Sequence, residues 1–149
     1  MFTASEQDVI NQALSIIESK FKRCDFTANS ADEAEQFCRL QIGSSEIEKF
    51  GILYLDTQHQ LIESEVLFTG TIDRATIHLR EVLKQVILKN AASVLVYHCH
   101  PSGHVVESPA DVAITNKLVD LLRIVDVSVL DHIIVSPINS MSFKKKGLL

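Results

Sequence analysis

His98-Cys99-His100-Pro101-Ser102-Gly103, followed by Ser108-Pro109-Ala110-Asp111, gathers two imidazoles at i and i+2 and a carboxylate thirteen positions after the first. Donors of these types suit a zinc ion, and three of them leave a tetrahedral ion one open position. An open position, filled by water or substrate, distinguishes a catalytic metal site from a closed structural one. Each half of the pattern also has a plainer use. Ser108-x-x-Asp111 has the form of a capping box, with the acid at the positive end of the helix dipole, and a lone His-x-His is common on surfaces. The capping and ligand roles of Asp111 are compatible.

The elements that must position these residues are legible on either side. Ala92-Ser93-Val94-Leu95-Val96-Tyr97 is an almost unbroken apolar run, which predicts a buried strand ending at His98. Along an extended backbone residues i and i+2 share a side, so His98 and His100 face one way and Cys99 the other. That alternation predicts a packed thiol at Cys99 rather than a fourth ligand or a nucleophile. Pro101 and Gly103 force a turn, and a helix is predicted from Pro109 to about Arg123 with Ser108 as its N-cap. His104 lies in the intervening loop. Asp131-His132 falls on or beside a later buried strand, where it could support the site or form a separate core pair.

A hydrolytic site needs a base as well as a metal. Glu46, Glu48, Glu63 and Glu65 all lie near predicted strands, and residue type alone does not choose among them. Glu48 stands just before Phe50-Gly51-Ile52-Leu53-Tyr54-Leu55, a strong strand candidate.

The remaining pattern is scaffold. Helices are predicted from Ser5 to about Lys22, from Ser30-x-x-Glu33 to Gly43, and from about Asp73 to Lys89. Strands are predicted at Phe50–Leu55 and Leu61–Leu67 around a hairpin-like connection with His59 exposed at its tip, then at Val125–Leu130, Ile133–Val135 and Met141–Phe143. The order ααββαβαββ fits an α/β layer fold with a mixed sheet.

At 149 residues the chain suits about one domain, and 46% hydrophobic with 22% charged residues is ordinary for a soluble globule. No apolar run reaches a membrane span, and the N-terminus lacks a signal-peptide pattern. Cys24, Cys38 and Cys99 form no CxxC pair and cannot all be bridged, which favours a reducing, cytoplasmic location. A net charge of −5 leaves only Lys20–Arg23 and Lys144–Lys146 locally basic, so nucleic-acid binding is not supported by charge. Both runs read more simply as a solvated helix end and a tail.

Glu48-Lys49-Phe50-Gly51, His98-x-His100-Pro101-x-Gly103 and Ser108-x-x-Asp111 together resemble the JAMM motif of the JAB1/MPN+ metalloprotease superfamily. Within it the chain is most similar to the RadC family. Leu55-Asp56, Leu67-Phe68-Thr69-Gly70-Thr71-Ile72, Arg80-Glu81-Val82, Asn90-Ala91-Ala92 and Leu130-Asp131-His132 extend the likeness from about Ser44 to the C-terminus. The resemblance implies an MPN/JAB-like mixed β-sheet flanked by helices, with a cytidine-deaminase-like layer architecture. It divides the chain into a helical lead-in at 1–43 and an MPN domain at 44–149. Carried over, it makes His98, His100 and Asp111 ligands of one zinc ion, Glu48 the general acid/base and Ser108 a stabiliser of the oxyanion. Relatives usually have Asn where Cys99 stands, and Tyr-Pro or His-Pro where His78-Leu79 stands. Many carry an N-terminal helix-hairpin-helix module, and the form expected here is the short one without it.

The expected activity is zinc-dependent hydrolysis of a peptide or isopeptide bond in an unidentified substrate, by a monomer or homodimer. The alternative is a non-hydrolytic metal-binding or DNA-repair-associated accessory module. A zinc nucleobase deaminase shares the metal and a helper Glu, but its Pro-Cys-x-x-Cys ligand pair is missing.

Overall fold

Alternation along three central strands, interrupted once, builds two cores, one on each face of a five-stranded sheet. The computed structural model describes residues 2–21, 28–70 and 77–149; Lys22, Arg23, Cys24, Thr71, Ile72 and the expected helix start at Asp73 lie outside them. The elements run α1 (Ala4–Phe21), α2 (Ala28–Ile42), β1 (Lys49–Leu55), β2 (Leu61–Thr69), α3 (Leu79–Leu88), β3 (Ser93–Cys99), α4 (Pro109–Arg123), β4 (Ser128–Val135), β5 (Ser140–Ser142) and α5 (Phe143–Lys146). The sheet order is β2-β1-β3-β4-β5, parallel between β3 and β4 and antiparallel elsewhere. A parallel pair needs a crossover, and α4 provides it. This is the mixed α/β arrangement expected of the JAB/MPN fold.

On one face Leu53, Leu55, Leu95, Tyr97, Cys99, Ile133 and Val135 pack with Ala34, Phe37, Cys38 and Ile42 of α2, and Leu14 and Ile17 of α1 close over them. On the other, Phe50, Ile52, Tyr54, Val94 and Val96 pack with Val82 and Val86 of α3 and Leu118 and Leu122 of α4. β3 lies between the two cores and all seven of its residues are buried, which explains its continuous apolar sequence.

Four local expectations need correction. The helix expected up to Lys89 begins at Leu79, because His78 is extended (φ −74°, ψ 99°), yet Ile77 still joins the same apolar cluster. Helical periodicity therefore continued past the helix itself. Met141–Phe143 is not all strand: β5 stops at Ser142, whose hydroxyl accepts the Lys145 N–H and caps α5. The supposed lysine tail is thus a helical turn. Lys145 pairs with Asp32 and Glu35 of α2, and Lys146 pairs with Glu107. His59, expected to be exposed, is half-buried and holds the β1–β2 turn at φ 60°.

The two strands expected at Val125–Leu130 and Ile133–Val135 are one strand, β4, with an irregularity. Val94 pairs with Val129, but Leu95 pairs with Asp131, so Leu130 is an extra residue in β4. A single inserted residue moves every following side chain to the opposite face. His132 consequently faces α4, while Asp131 faces α5, where its carboxylate accepts the Ser142 hydroxyl and the Lys144 N–H.

Gly51 crosses from Tyr97 in the antiparallel β1–β3 ladder, and a Cβ there would enter the Tyr97 ring. That ring is buried and its hydroxyl is bonded to Gln41 at 2.5 Å, so it has little room to yield. Gly51→Ala is expected to lower stability by about 1–3 kcal/mol in urea denaturation. The loss should shrink in a Tyr97→Leu background, and strict additivity of the two changes would show that the ring is not the obstacle.

Candidate metal centre

His98 is delivered by the alternation of β3, on the same face as Val94 and Val96 and opposite Phe50 of β1, whose ring stacks on it. His100 follows the strand end, where the turn closes through a Gly103 N–H to His100 carbonyl bond with Gly103 at φ 82°. Asp111 arrives from below, in the first turn of α4. Ser108 caps that helix as the sequence predicts: its hydroxyl accepts the Asp111 N–H at 3.1 Å and its own N–H donates to Asp111 Oδ2 at 2.7 Å.

The three side chains converge. His98 Nε2 lies 2.8 Å from His100 Nε2 and 3.1 Å from Asp111 Oδ1, and His100 Nε2 lies 3.4 Å from Asp111 Oδ2. Ligands about 2.0–2.1 Å from a tetrahedral zinc ion stand roughly 3.3 Å apart, so these separations suit one ion. His100 Nδ1 lies 2.9 Å from the His104 carbonyl and can only donate to it, which turns Nε2 towards the cluster. Asp111 is 1% exposed, and its Oδ1 has no hydrogen-bond donor among the described residues. A buried carboxylate oxygen that faces an imidazole nitrogen and has no donor of its own, with a second imidazole nitrogen at the other oxygen, is a donor set that fits a metal ion.

The electrostatics agree. Burial works against charge on Asp111, yet the facing imidazoles of His100 and His98 and the hydrogen bond from the Ser108 N–H hold its carboxyl well below the ordinary carboxylate range. Burial pushes His98 below the usual imidazole value, whereas the bond to Asp111 raises His100. The charge of Glu48 acts on both histidines. The β1–β3 ladder closes with Phe50 opposite His98, and Glu48 lies two residues before Phe50, at the end of the sheet from which His100 follows. The Glu48 carbonyl accepts the Gly70 N–H at 2.8 Å, which fastens this point to the end of β2. Glu63 and Glu65 lie further along β2 and interact with Lys89 instead.

Cys99 points to the α2 face, with Sγ 3.5 Å from the Ile47 carbonyl. Asp131 and His132 form no side-chain pair: Asp131 binds α5, whereas His132 Nε2 is 2.7 Å from His98 Nδ1. Thr115, which sequence reasoning passed over, lies 2.6 Å from His132 Nδ1 and donates its hydroxyl to the Asp111 carbonyl. A signal for it existed, because Asp111, Thr115, Leu118 and Leu122 form the buried stripe of α4 and two of the four are polar.

A family model described as RadC-like JAB domain matches residues 28–148. The chain belongs to this family. Among similar RadC-like proteins, UPF0758 protein YeeS of Escherichia coli (strain K12) is 42% identical over 147 residues, covering 99% of each chain. UPF0758 protein YkfG of the same strain is 40% identical over 147 residues, covering 99% of this chain and 93% of the relative. UPF0758 protein PSHAa2643 of Pseudoalteromonas translucida (strain TAC 125) is 45% identical over 130 residues, which is 86% of this chain and 58% of that longer protein. No helix among the described residues of this RadC-like domain is long and apolar enough to cross a membrane.

The buried histidines set a pH dependence for the metal-free protein. His132 is held well below its ordinary value of 6.5, chiefly by burial, and His98 is lowered for the same first reason. A folded-state value below the unfolded one means that the unfolded chain takes up these protons first as pH falls. Stability is therefore complete above about 6.5 and lost below it, by about 1.4 kcal/mol per proton per pH unit, partly offset by the raised His100. Chelator-stripped protein is expected to show a lower urea midpoint at pH 5.5 than at pH 7.5. Equal midpoints would contradict neutral, buried imidazoles.

Proposed function

We propose that this RadC-like JAB domain is a zinc-dependent hydrolase of the JAMM type that cleaves a peptide or isopeptide bond. The observation that carries the reading is the convergence of His98 Nε2, His100 Nε2 and the Asp111 carboxylate around one point, with Asp111 Oδ1 lacking a donor. Three protein ligands, rather than four, are the donor set of a catalytic site. In this reading residues 44–149 form the hydrolase domain and 1–43 its helical lead-in, since every proposed site residue lies from Glu48 onward.

When bound, zinc supplies Lewis acidity, which makes water acidic enough to furnish hydroxide near neutral pH and polarises a carbonyl. Glu48, whose charge reaches both histidines, accepts the proton of the attacking water and passes it to the leaving amine. The Ser108 hydroxyl already accepts the Asp111 N–H, so its own proton remains to meet the charge developing on the tetrahedral oxygen. Asp111 thus serves as both ligand and helix cap, which fixes Ser108 beside the cluster. Lys145 and Lys146 are engaged by Asp32, Glu35 and Glu107, which leaves the tail poorly suited to phosphates and supports a peptide substrate over nucleic acid.

Elemental analysis of protein purified without added metal is expected to find about one zinc per chain, lost in His100→Ala. Glu48→Gln should keep that zinc while losing at least about 100-fold in turnover on a panel of quenched peptide and isopeptide substrates. Unchanged turnover in Glu48→Gln would remove Glu48 from its role, and zinc-free wild-type protein after incubation with zinc would remove the hydrolase reading.

A further inference from the structure

We propose that Thr115 and His132 are positioning residues: they form a one-way hydrogen-bond relay that keeps the His98 proton on Nδ1 and turns the lone pair of His98 Nε2 towards His100 and Asp111. The inference rests on the metal-centre reading and names the residues that set one ligand of that centre.

The direction of the relay follows from counting protons. A threonine hydroxyl has one proton, and Thr115 Oγ1 gives it to the Asp111 carbonyl at 2.6 Å, because a carbonyl can only accept. Thr115 Oγ1 must then accept at its other short contact, which is His132 Nδ1 at 2.6 Å. His132 therefore carries its proton on Nδ1. It is wholly buried between the edge of the Phe50 contact and the stacked Phe143 ring, and among the described residues no carboxylate bonds either ring nitrogen, so a second proton has nothing to stabilise it. His132 Nε2 is consequently an acceptor, and the only group that can supply the 2.7 Å bond is the Nδ1–H of His98. A neutral His98 with that tautomer has a bare Nε2, and it is this atom that faces Asp111 Oδ1 at 3.1 Å.

The relay starts on the turn of α4 that carries Asp111 and ends on the imidazole delivered by β3. Two ligands from different elements are thereby referred to one another through Thr115 and His132, and a shift of either is transmitted to the other. Partners of this kind commonly change metal affinity by about 10- to 100-fold. Neither residue touches the open side of the cluster, so neither is assigned a part in bond cleavage.

Long-range nitrogen–proton correlation spectra of the metal-free wild-type chain at neutral pH test the tautomers without any substitution. Protonated Nδ1 and bare Nε2 are expected on both His98 and His132; a proton on His98 Nε2 would overturn the relay. Zinc affinity, measured against a chromophoric chelator, should fall about 10- to 100-fold in Thr115→Val and return in Thr115→Ser, which restores the hydroxyl. Wild-type affinity in Thr115→Val would also overturn it. If the wild-type chain takes up no zinc at all, the metal-centre reading fails, and the tautomer spectra alone decide the relay.

Discussion

A carboxylate removed from water costs several kcal/mol unless its oxygens are met by donors or a cation, and Asp111 is buried to within 1% of its surface. The surrounding architecture answers that cost from several directions at once. The first turn of α4 contributes the Ser108 N–H and the positive end of the helix, and the end of β3 contributes two imidazoles. Oδ1 faces His98 Nε2 and has no donor among the described residues, an arrangement suited to a cation. α4 can deliver Asp111 to that point because it is also the crossover that joins the parallel strands β3 and β4.

β3 divides the labour between its faces. Its even-numbered residues end in His98 beneath Phe50, while its odd-numbered residues end in Cys99 among Tyr97, Ile133 and the residues of α2. Cys99 is therefore taken up by packing, with its thiol pushed above its ordinary range chiefly by burial. The backbone of the strand separates the histidine face from this packed face. The C-terminal turn α5 adds a further restraint: Lys145 reaches α2 and Lys146 reaches Glu107, one residue before the cap of α4. Solvent screens exposed pairs of this kind, so their importance is in where they hold the chain rather than in stability.

Period and punctuation in the sequence indicated most of the elements and the candidate ligand set. The apolar run before His98 predicted a buried strand, Ser108-Pro109 predicted a helix start, and i, i+2 spacing aimed His98 and His100 together. Helix boundaries were less legible: Ile77 keeps the apolar period while its neighbour His78 breaks the helix, because burial and backbone conformation are separate requirements. Residue type could not choose among the nearby acids, and it is the pairing of β1 with β3 that brings the Glu48 end of β1 to His98. Tertiary structure alone decided the fate of Asp131-His132. One extra residue at Leu130 reverses the faces of everything after it, sending Asp131 to α5 and His132 to His98 and Thr115, and a bulge is a property of two paired strands that neither strand's own sequence displays.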